Sequence, residues 1–214
     1  MKYLTIISFT CVFALCSCIG HKVQGNGMLR TETRDVPTFE TITCDGSYEM
    51  EIECQAKQAL TIDADENLLP LIKTEVKNNA LRIYTEENLQ PSKGIKIIAS
   101  VENLSAFTVH GSALGDVHNI NNNALSVEVN GSSKLHFNGK TAQLKITISG
   151  SSKIDATSLV AEDAKVQING NGDIHVWAVN SVDGQIHGSG SIRYSGEPKN
   201  VTQEINGRGT ISKE

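Results

Sequence analysis

Six glycines divide the second half of this 214-residue chain at nearly equal intervals. Gly111, Gly131, Gly150, Gly170, Gly188 and Gly207 follow one another at steps of 20, 19, 20, 18 and 19 residues. They sit in "VHGSALGDVHNI", "VNGSSKLHFNGK", "ISGSSKIDATSL", "INGNGDIHVWAV", "IHGSGSIRYSGE" and "INGRGTISKE". Apolar residues keep the same step. Val109, Val129, Ile148, Ile168, Ile186 and Ile205 stand two before each glycine. Leu135, Ile154, Ile174, Ile192 and Ile211 stand four after it; Val117 stands six after, because the first copy carries two extra residues. Alternation around both columns has period two, the mark of a strand with one buried face, and nothing here repeats at the helical 3.6. Each repeat therefore reads as strand, Gly/Ser/Asn turn, second strand and looser return.

One such unit cannot bury its apolar face alone, but stacked units can, each Val or Ile lying on its equivalent in the next. The expected class is all-β: a parallel β-solenoid, read as a right-handed single-stranded β-helix with coils of about 19 residues. A stack of antiparallel hairpins, as in a β-prism or sandwich, is the alternative. Residues 35–105 also alternate as strands, less regularly, in "FETITCDGSYEMEIEC", "ALTIDA", "ALRIYTEE" and "GIKIIASV". "DENLLPLIKTEV" interrupts them with one expected helical turn, capped by Asp65 or Asn67. No linker composition separates the two parts, so residues 35–214 read as one domain: irregular coils over 35–105 and six regular repeats over 106–214. The open ends of such a stack need covering, by the N-terminal segment or by another copy of the chain.

The first residues are read apart from the fold. "MKYLTIISFTCVFALCSC" has one Lys, an apolar run and then small residues, a secretory signal too short to span a membrane comfortably. Leu15-Cys16-Ser17-Cys18 resembles the bacterial lipobox, which makes 1–17 the signal peptide, Cys18 the lipidated residue and 18–34 the lipidated cysteine and tether. Removing 1–17, whose only charged residue is Lys2, takes the formal charge from −5 to −6. Cys44 and Cys54 then remain, an even pair in an oxidising compartment. Both fall on apolar faces, so a disulfide and two buried free thiols stay open together.

The acidic balance and the lack of a basic run exclude nucleic acid as a partner. Aromatics at 5% leave few stacking platforms for bases or sugars. "NGNGDIHVW" partly resembles the calcium nonapeptide of secreted β-rolls. Only Asp116 and Asp173 share the Gly-Asp-[Val/Ile] context, however, and calcium wants six to eight oxygen ligands. The residue after the second apolar column reads His118, His136, Asp155, His175, Arg193, Ser212. In register, His136, Asp155 and His175 form a ladder and are the candidates for zinc. The alternative is a solvated outward face. A similar ladder, His110, Asn130, Ser149, Asn169, His187, Asn206, precedes the glycines, where turn chemistry accounts for Asn and Gly. The serines beside glycine form no Gly-x-Ser-x-Gly elbow, and the Gly-x-Gly pairs lie between strands rather than before a helix. No catalytic residue and no cofactor is assigned.

The order of features along the chain resembles a known family. A lipoprotein leader, an "F..I....S" opening, "NLLPLIKTEVKNNALRI" and repeated "GS(S/G)xI" turns are similar to the putative auto-transporter adhesin, head GIN domain family. This is the domain of unknown function 2807, frequent in Bacteroidetes. The similarity covers about residues 35–212. It implies a β-helix-like fold on the cell envelope and carries over no catalytic residue. The expected function is a non-enzymatic envelope lipoprotein, an adhesin or envelope interaction module anchored to the outer membrane by lipid. Its partners are the membrane, an unidentified surface protein or glycan, and a second copy of itself. The alternatives are a periplasmic binding or sensing module and, behind it, a carbohydrate-active β-helix enzyme.

Overall fold

The computed structural model describes residues 22–214. The signal peptide, Cys18 and its neighbours to His21 lie outside the described residues. Among the described residues strand makes up 76% and there is no α-helix, so the described fold is all-β. The first strands are β1 (Lys22–Gln24), β2 (Leu29–Thr33), β3 (Thr41–Cys54), β4 (Ala59–Asp65), β5 (Ile72–Lys77), β6 (Ala80–Thr85), β7 (Asn88–Gln90) and β8 (Lys96–Val101). The repeats follow as β9 (Ala106–Gly150), β10 (Lys153–Gly170), β11 (Asp173–Gly188), β12 (Ser191–Ser195), β13 (Asn200–Gly207) and β14 (Thr210–Lys213). Residues 22–33, inside the segment expected as a tether, thus form two strands.

The repeats pair in parallel, not as antiparallel hairpins. β10 lies between β9 and β11 with Ile168 beside both Ile148 and Ile186, Ile154 beside both Leu135 and Ile174, and Gly170 beside both Gly150 and Gly188. β12 and β13 continue from β11, and β14 from β12, carrying the columns to Ile205 and Ile211. Alternation decides which side chains go inside. Ile148, Ile154, Ile168, Ile174, Ile186 and Ile192 are all 0% exposed. Each such burial is worth about 1.5–3 kcal/mol, so the columns dominate the cohesion of the sheet. Phe107 and Phe137 meet edge to face inside the same core, centroids 6.5 Å apart.

The turn glycines are required twice over. Gly131 has φ +149°, and a Cβ there would overlap the Gly111 carbonyl oxygen of the neighbouring strand. The same contact recurs from Gly111 to Gly207, each against the glycine before it, so the corner is a column of glycines. Next to it runs a second column that sequence reading missed. Ser133 and Ser152 are buried, and their hydroxyl oxygens accept the Ala113 and Ser133 amides at 3.0 and 2.9 Å. Small residues at this position keep the turn narrow and satisfy amides that the corner turns away from the ladder.

One rung was hidden. β3 lies parallel to β9 with Cys44 beside Val109, Gly46 beside Gly111 and Ile52 beside Val117. On its other side it meets β6 and β8, also in parallel. Spatial order therefore departs from chain order: β3 sits between β8 and β9, and the sheet runs β14-β12-β11-β10-β9-β3-β8-β4-β2. Beyond β6 and β8 the pairing turns antiparallel, with β5 on β6, β4 on β8 and β2 on β4. The expected helical turn is a 3-10 turn at Leu69–Leu71 with Leu68 at its N-cap position and no side-chain cap. Asp65 and Asn67 serve the N-terminal segment instead. Asp65 is buried and accepts from the Gly27 amide at 2.7 Å and from the Ser92 amide and hydroxyl at 2.8 and 2.7 Å. Asn67 bonds Asn26 and Gln24.

Cys44 and Cys54, weighed above as a disulfide, are free, buried thiols. Both belong to β3. Cys44 precedes the Gly46 corner, in the column of Val109, and Cys54 ends the strand beside Val101. Cys44 Sγ instead meets Met50 Sδ at 3.8 Å. Burial pushes both thiols up, Cys54 to about 12, which keeps them neutral and unreactive.

Candidate functional site

Parallel register turns a position in the repeat into a line of side chains. The residues after the second apolar column pair as Glu53 with His118, His136 with Asp155, Asp155 with His175, His175 with Arg193, and Arg193 with Ser212. All are partly exposed. Two residues earlier along each strand runs a second line on the same face: Lys134, Lys153, Asp173, Ser191 and Thr210. Strand neighbours stand about 4.8 Å apart, so these two lines form one polar face.

Asp173 is the hub of this face. Arg193 Nη2 donates to its two oxygens at 3.1 and 3.3 Å, the Ser191 hydroxyl donates to Oδ1, and Lys153 Nζ lies 3.7 Å away. Burial works against the charge, yet the Ser191 bond and the nearby Arg193, His175 and Lys153 hold the carboxyl below its ordinary value. Asp155 is lowered as well, first by the Thr157 hydroxyl, against burial, and then by the Thr157 amide, His136 and His175. The His175 side chain is 14% exposed, against 27% for Asp173 and 39% for Arg193. Its Nε2 is 3.5 Å from Asp173 Oδ1, its Nδ1 3.7 Å from Glu214 Oε2, and Nε2 makes no hydrogen bond.

The zinc candidates are neighbours: His136 Nδ1 stands 3.7 Å from Asp155 Oδ2, and Asp155 pairs with His175 on the next strand. Among the described residues no group of three or more His, Cys, Asp or Glu is placed to hold a metal. The calcium reading of Asp173 fails on charge, because cations and a hydroxyl already occupy its oxygens. The ladder before the glycines is tied to itself: Asn130 Nδ2 meets His110 Nδ1 at 3.2 Å, and Asn206 Nδ2 meets His187 Nδ1 at 3.3 Å.

A cleft on another side was not foreseen. About 450 Å³ in volume, it crosses the stack from Ser105 to Asp183, over Leu125, Leu144 and Ala164. Its two carboxylates are each engaged: Asp163 accepts from the Ser181 hydroxyl, and Asp183 pairs with Lys165 at 2.9 Å. The signal was in the columns, where Ala164 stands beside Leu144 and so leaves a dent. No described helix is long and apolar enough to cross a membrane.

Solved bacterial proteins share this fold. A putative adhesin from Bacteroides fragilis NCTC 9343 superposes with a TM-score of 0.70 at 22% identity, covering 90% of this chain and 100% of that one. A putative adhesin from Parabacteroides merdae ATCC 43184 gives 0.54 at 19% identity, covering 90% and 99%. A putative lipid binding protein from Parabacteroides distasonis ATCC 8503 gives 0.52 at 21%, covering 91% and 100%. Comparison with curated proteins finds no match. The family model described as "Putative auto-transporter adhesin, head GIN domain" matches residues 38–198, and the chain belongs to that family.

Proposed function

We propose that this member of the head GIN domain family is a non-enzymatic, lipid-anchored envelope protein that presents the sides of a β-solenoid as an adhesive surface. In this reading the parallel rungs are coils of a right-handed β-helix of about 19 residues each. Cys18 carries the lipid, and the acyl chains bury enough methylene groups, at about 0.8 kcal/mol each, to hold the protein on the outer membrane. The observation that carries the reading is the two-line polar face around Asp173, in register across successive strands. A rigid ladder of repeated groups gains affinity by many weak contacts acting together, and suits a repetitive surface protein or glycan. The family description and the adhesins of similar fold support it. The engaged state of Asp163 and Asp183 supports a binding role over glycoside hydrolysis, which needs a free carboxylate pair.

A second reading takes the cleft over Leu125, Leu144 and Ala164 as the site of an apolar ligand. It is favoured by that apolar floor and by a neighbour of similar fold described as a putative lipid binding protein. One experiment separates them. In a strain expressing the full chain, metabolic acyl labelling should mark the wild type and not Cys18→Ala, and deletion of the protein should lower attachment of cells to surfaces or to each other. Absence of label, or attachment unchanged by deletion, overturns the proposal. Saturable fatty-acid uptake by the purified protein, with attachment unchanged, moves the assignment to the cleft.

A further inference from the structure

The outward side of β11 carries Asp173, His175, Trp177 and Val179, alternating with the buried Ile174, Val176 and Ala178. Along that side the chemistry changes. Asp173 and His175 belong to the polar lines described above, whereas Trp177 stands beside Val160 of β10 and Ser195 of β12. Trp177 is the only tryptophan of the chain, and it is 41% exposed. Val160 and Val179, at 37% and 46%, extend it into a small apolar patch. The patch adjoins the polar face around Asp173, so an indole and a network of charged and hydroxyl groups share one side of the stack.

The backbone on both sides of Trp177 departs from the regular ladder. The register of β10 shifts between Ala156 and Val160, which inserts Thr157, Ser158 and Leu159 next to the indole. Leu159 turns into the core and Ser158 is left exposed. Such a bulge re-aims the side chains beside it. On the β12 side the chain turns at Gly196, φ +91°, where a Cβ would stand 3.1 Å from Trp177 Nε1. The missing side chain seats the Nε1 edge of the ring against the turn and leaves the rest in solvent. The indole is thus held in place before any ligand arrives, which lowers the ordering cost of binding.

Size and shape limit what this patch binds. Three side chains fall far short of the roughly 20–30 residues a side of a stable protein contact. Among the described residues Trp177 lines none of the main clefts, so no apolar ligand is enclosed there. A sugar ring satisfies both limits. One face of a pyranose presents C–H groups, whose partial positive charge meets the negative face of an indole, while its hydroxyls project sideways. Polar residues border the patch on those sides: Ser195 beside Trp177, Ser158 in the bulge and Lys140 beside Val160. We propose that Trp177 is the stacking platform of a carbohydrate site, taking the C–H face of one hexopyranose of a glycan, with Val160 and Val179 beside it. This deepens the adhesive reading above and rests on it only for the use of the site in attachment. One ring binds weakly, and a glycan spanning many copies of the protein gains by multivalency.

The test uses the full chain, purified in a detergent without a sugar headgroup. Because Trp177 is the only tryptophan, its fluorescence reports on the site directly. Glucose, galactose, mannose, N-acetylglucosamine and their linear oligosaccharides are titrated in turn. At least one series should shift the emission saturably and shield the indole from iodide quenching. On a column bearing that oligosaccharide, Trp177→Ala should lower retention about tenfold and Trp177→Phe should keep part of it, both with unchanged circular dichroism. Leu114→Ala, at a side chain 60% exposed elsewhere on the stack, should match the wild type. No response to any of these sugars, or retention indifferent to Trp177→Ala, overturns the proposal. So does an emission shift that follows protein concentration without sugar, which marks the patch as a contact between copies. In cells, Trp177→Ala should lower attachment as deletion does. Sugar binding with attachment unchanged keeps the site and removes only its adhesive use.

Discussion

The two halves of this sheet bury their cores by different means. From β9 to β14 every rung is held by a copy of itself: isoleucine beside isoleucine, glycine beside glycine. From β1 to β8, apart from the β3 rung, the chain is held by contacts that occur once. Arg34 Nη2 donates to the Leu69 carbonyl at 2.8 Å. Gln58 accepts the Phe39 amide at 3.0 Å and donates to the carbonyls of Val36 and Pro37. Asp65 gathers Gly27 and Ser92. Repetition spreads stability over nearest neighbours, so damage to one rung reaches both adjacent ones. A cap of single-use contacts can loosen locally while the stack stays folded.

The largest effect expected is at the corner. Gly150→Val combines a φ of +135° with a Cβ set into the Gly131 carbonyl, and should abolish soluble folded protein. Gly27→Ala in the cap has φ +79° but open space around its Cβ, and should cost about 1 kcal/mol by thermal unfolding. Folded, soluble Gly150→Val would break the claim that the glycine column is obligatory. Next comes a pair in one column. Ile168→Ala removes a side chain that is 0% exposed and should cost about 2–5 kcal/mol in urea unfolding; Ile205→Ala, at 41% exposure, should cost under about 1 kcal/mol. Equal costs would mean that the last rung is covered in solution.

The smallest and most local effect belongs to Asp65. Its carboxyl is held below the ordinary value first by the Ser92 hydroxyl and amide, against burial, and by Gly27. A depressed carboxylate stabilises fully above its unfolded value, about 3.9, and loses that contribution as pH falls through the lower folded value. Cap strands should therefore loosen first on acidification below about pH 4. Asp65→Asn should speed amide hydrogen exchange at Gly27 and Ser92 at neutral pH while β10 and β11 keep wild-type protection. Faster exchange throughout would show that cap and stack are one cooperative unit.

Much of this was legible, and the reason is local. The step of about 19 placed Ile148, Ile168 and Ile186 side by side before any coordinate did, since period-two alternation leaves one register that buries them all. The polar face was legible as a ladder but not as a network. That Asp173 is shared by Arg193, Ser191 and Lys153 depends on rotamers across three strands. β3 could have been found. Cys44 stands two before Gly46 and Ile52 six after, the same spacing as Val109 and Val117 about Gly111. Its neighbours in sequence do not repeat that spacing, so a lone copy does not stand out as a rung.

The amino-acid sequence by itself determined the rung: its length, its glycine corner, its two apolar columns and the polar residues between them. These follow from alternation and from what only glycine can do at a positive φ. Tertiary structure alone decided the order of rungs and the finish of the two ends. Every rung carries nearly the same code and so fits beside any other; nothing local tells β3 to lie between β8 and β9. Only the long-range pairing of β4, β5 and β2 finishes the β3 side with charged antiparallel strands, whereas β13 and β14 continue the parallel register.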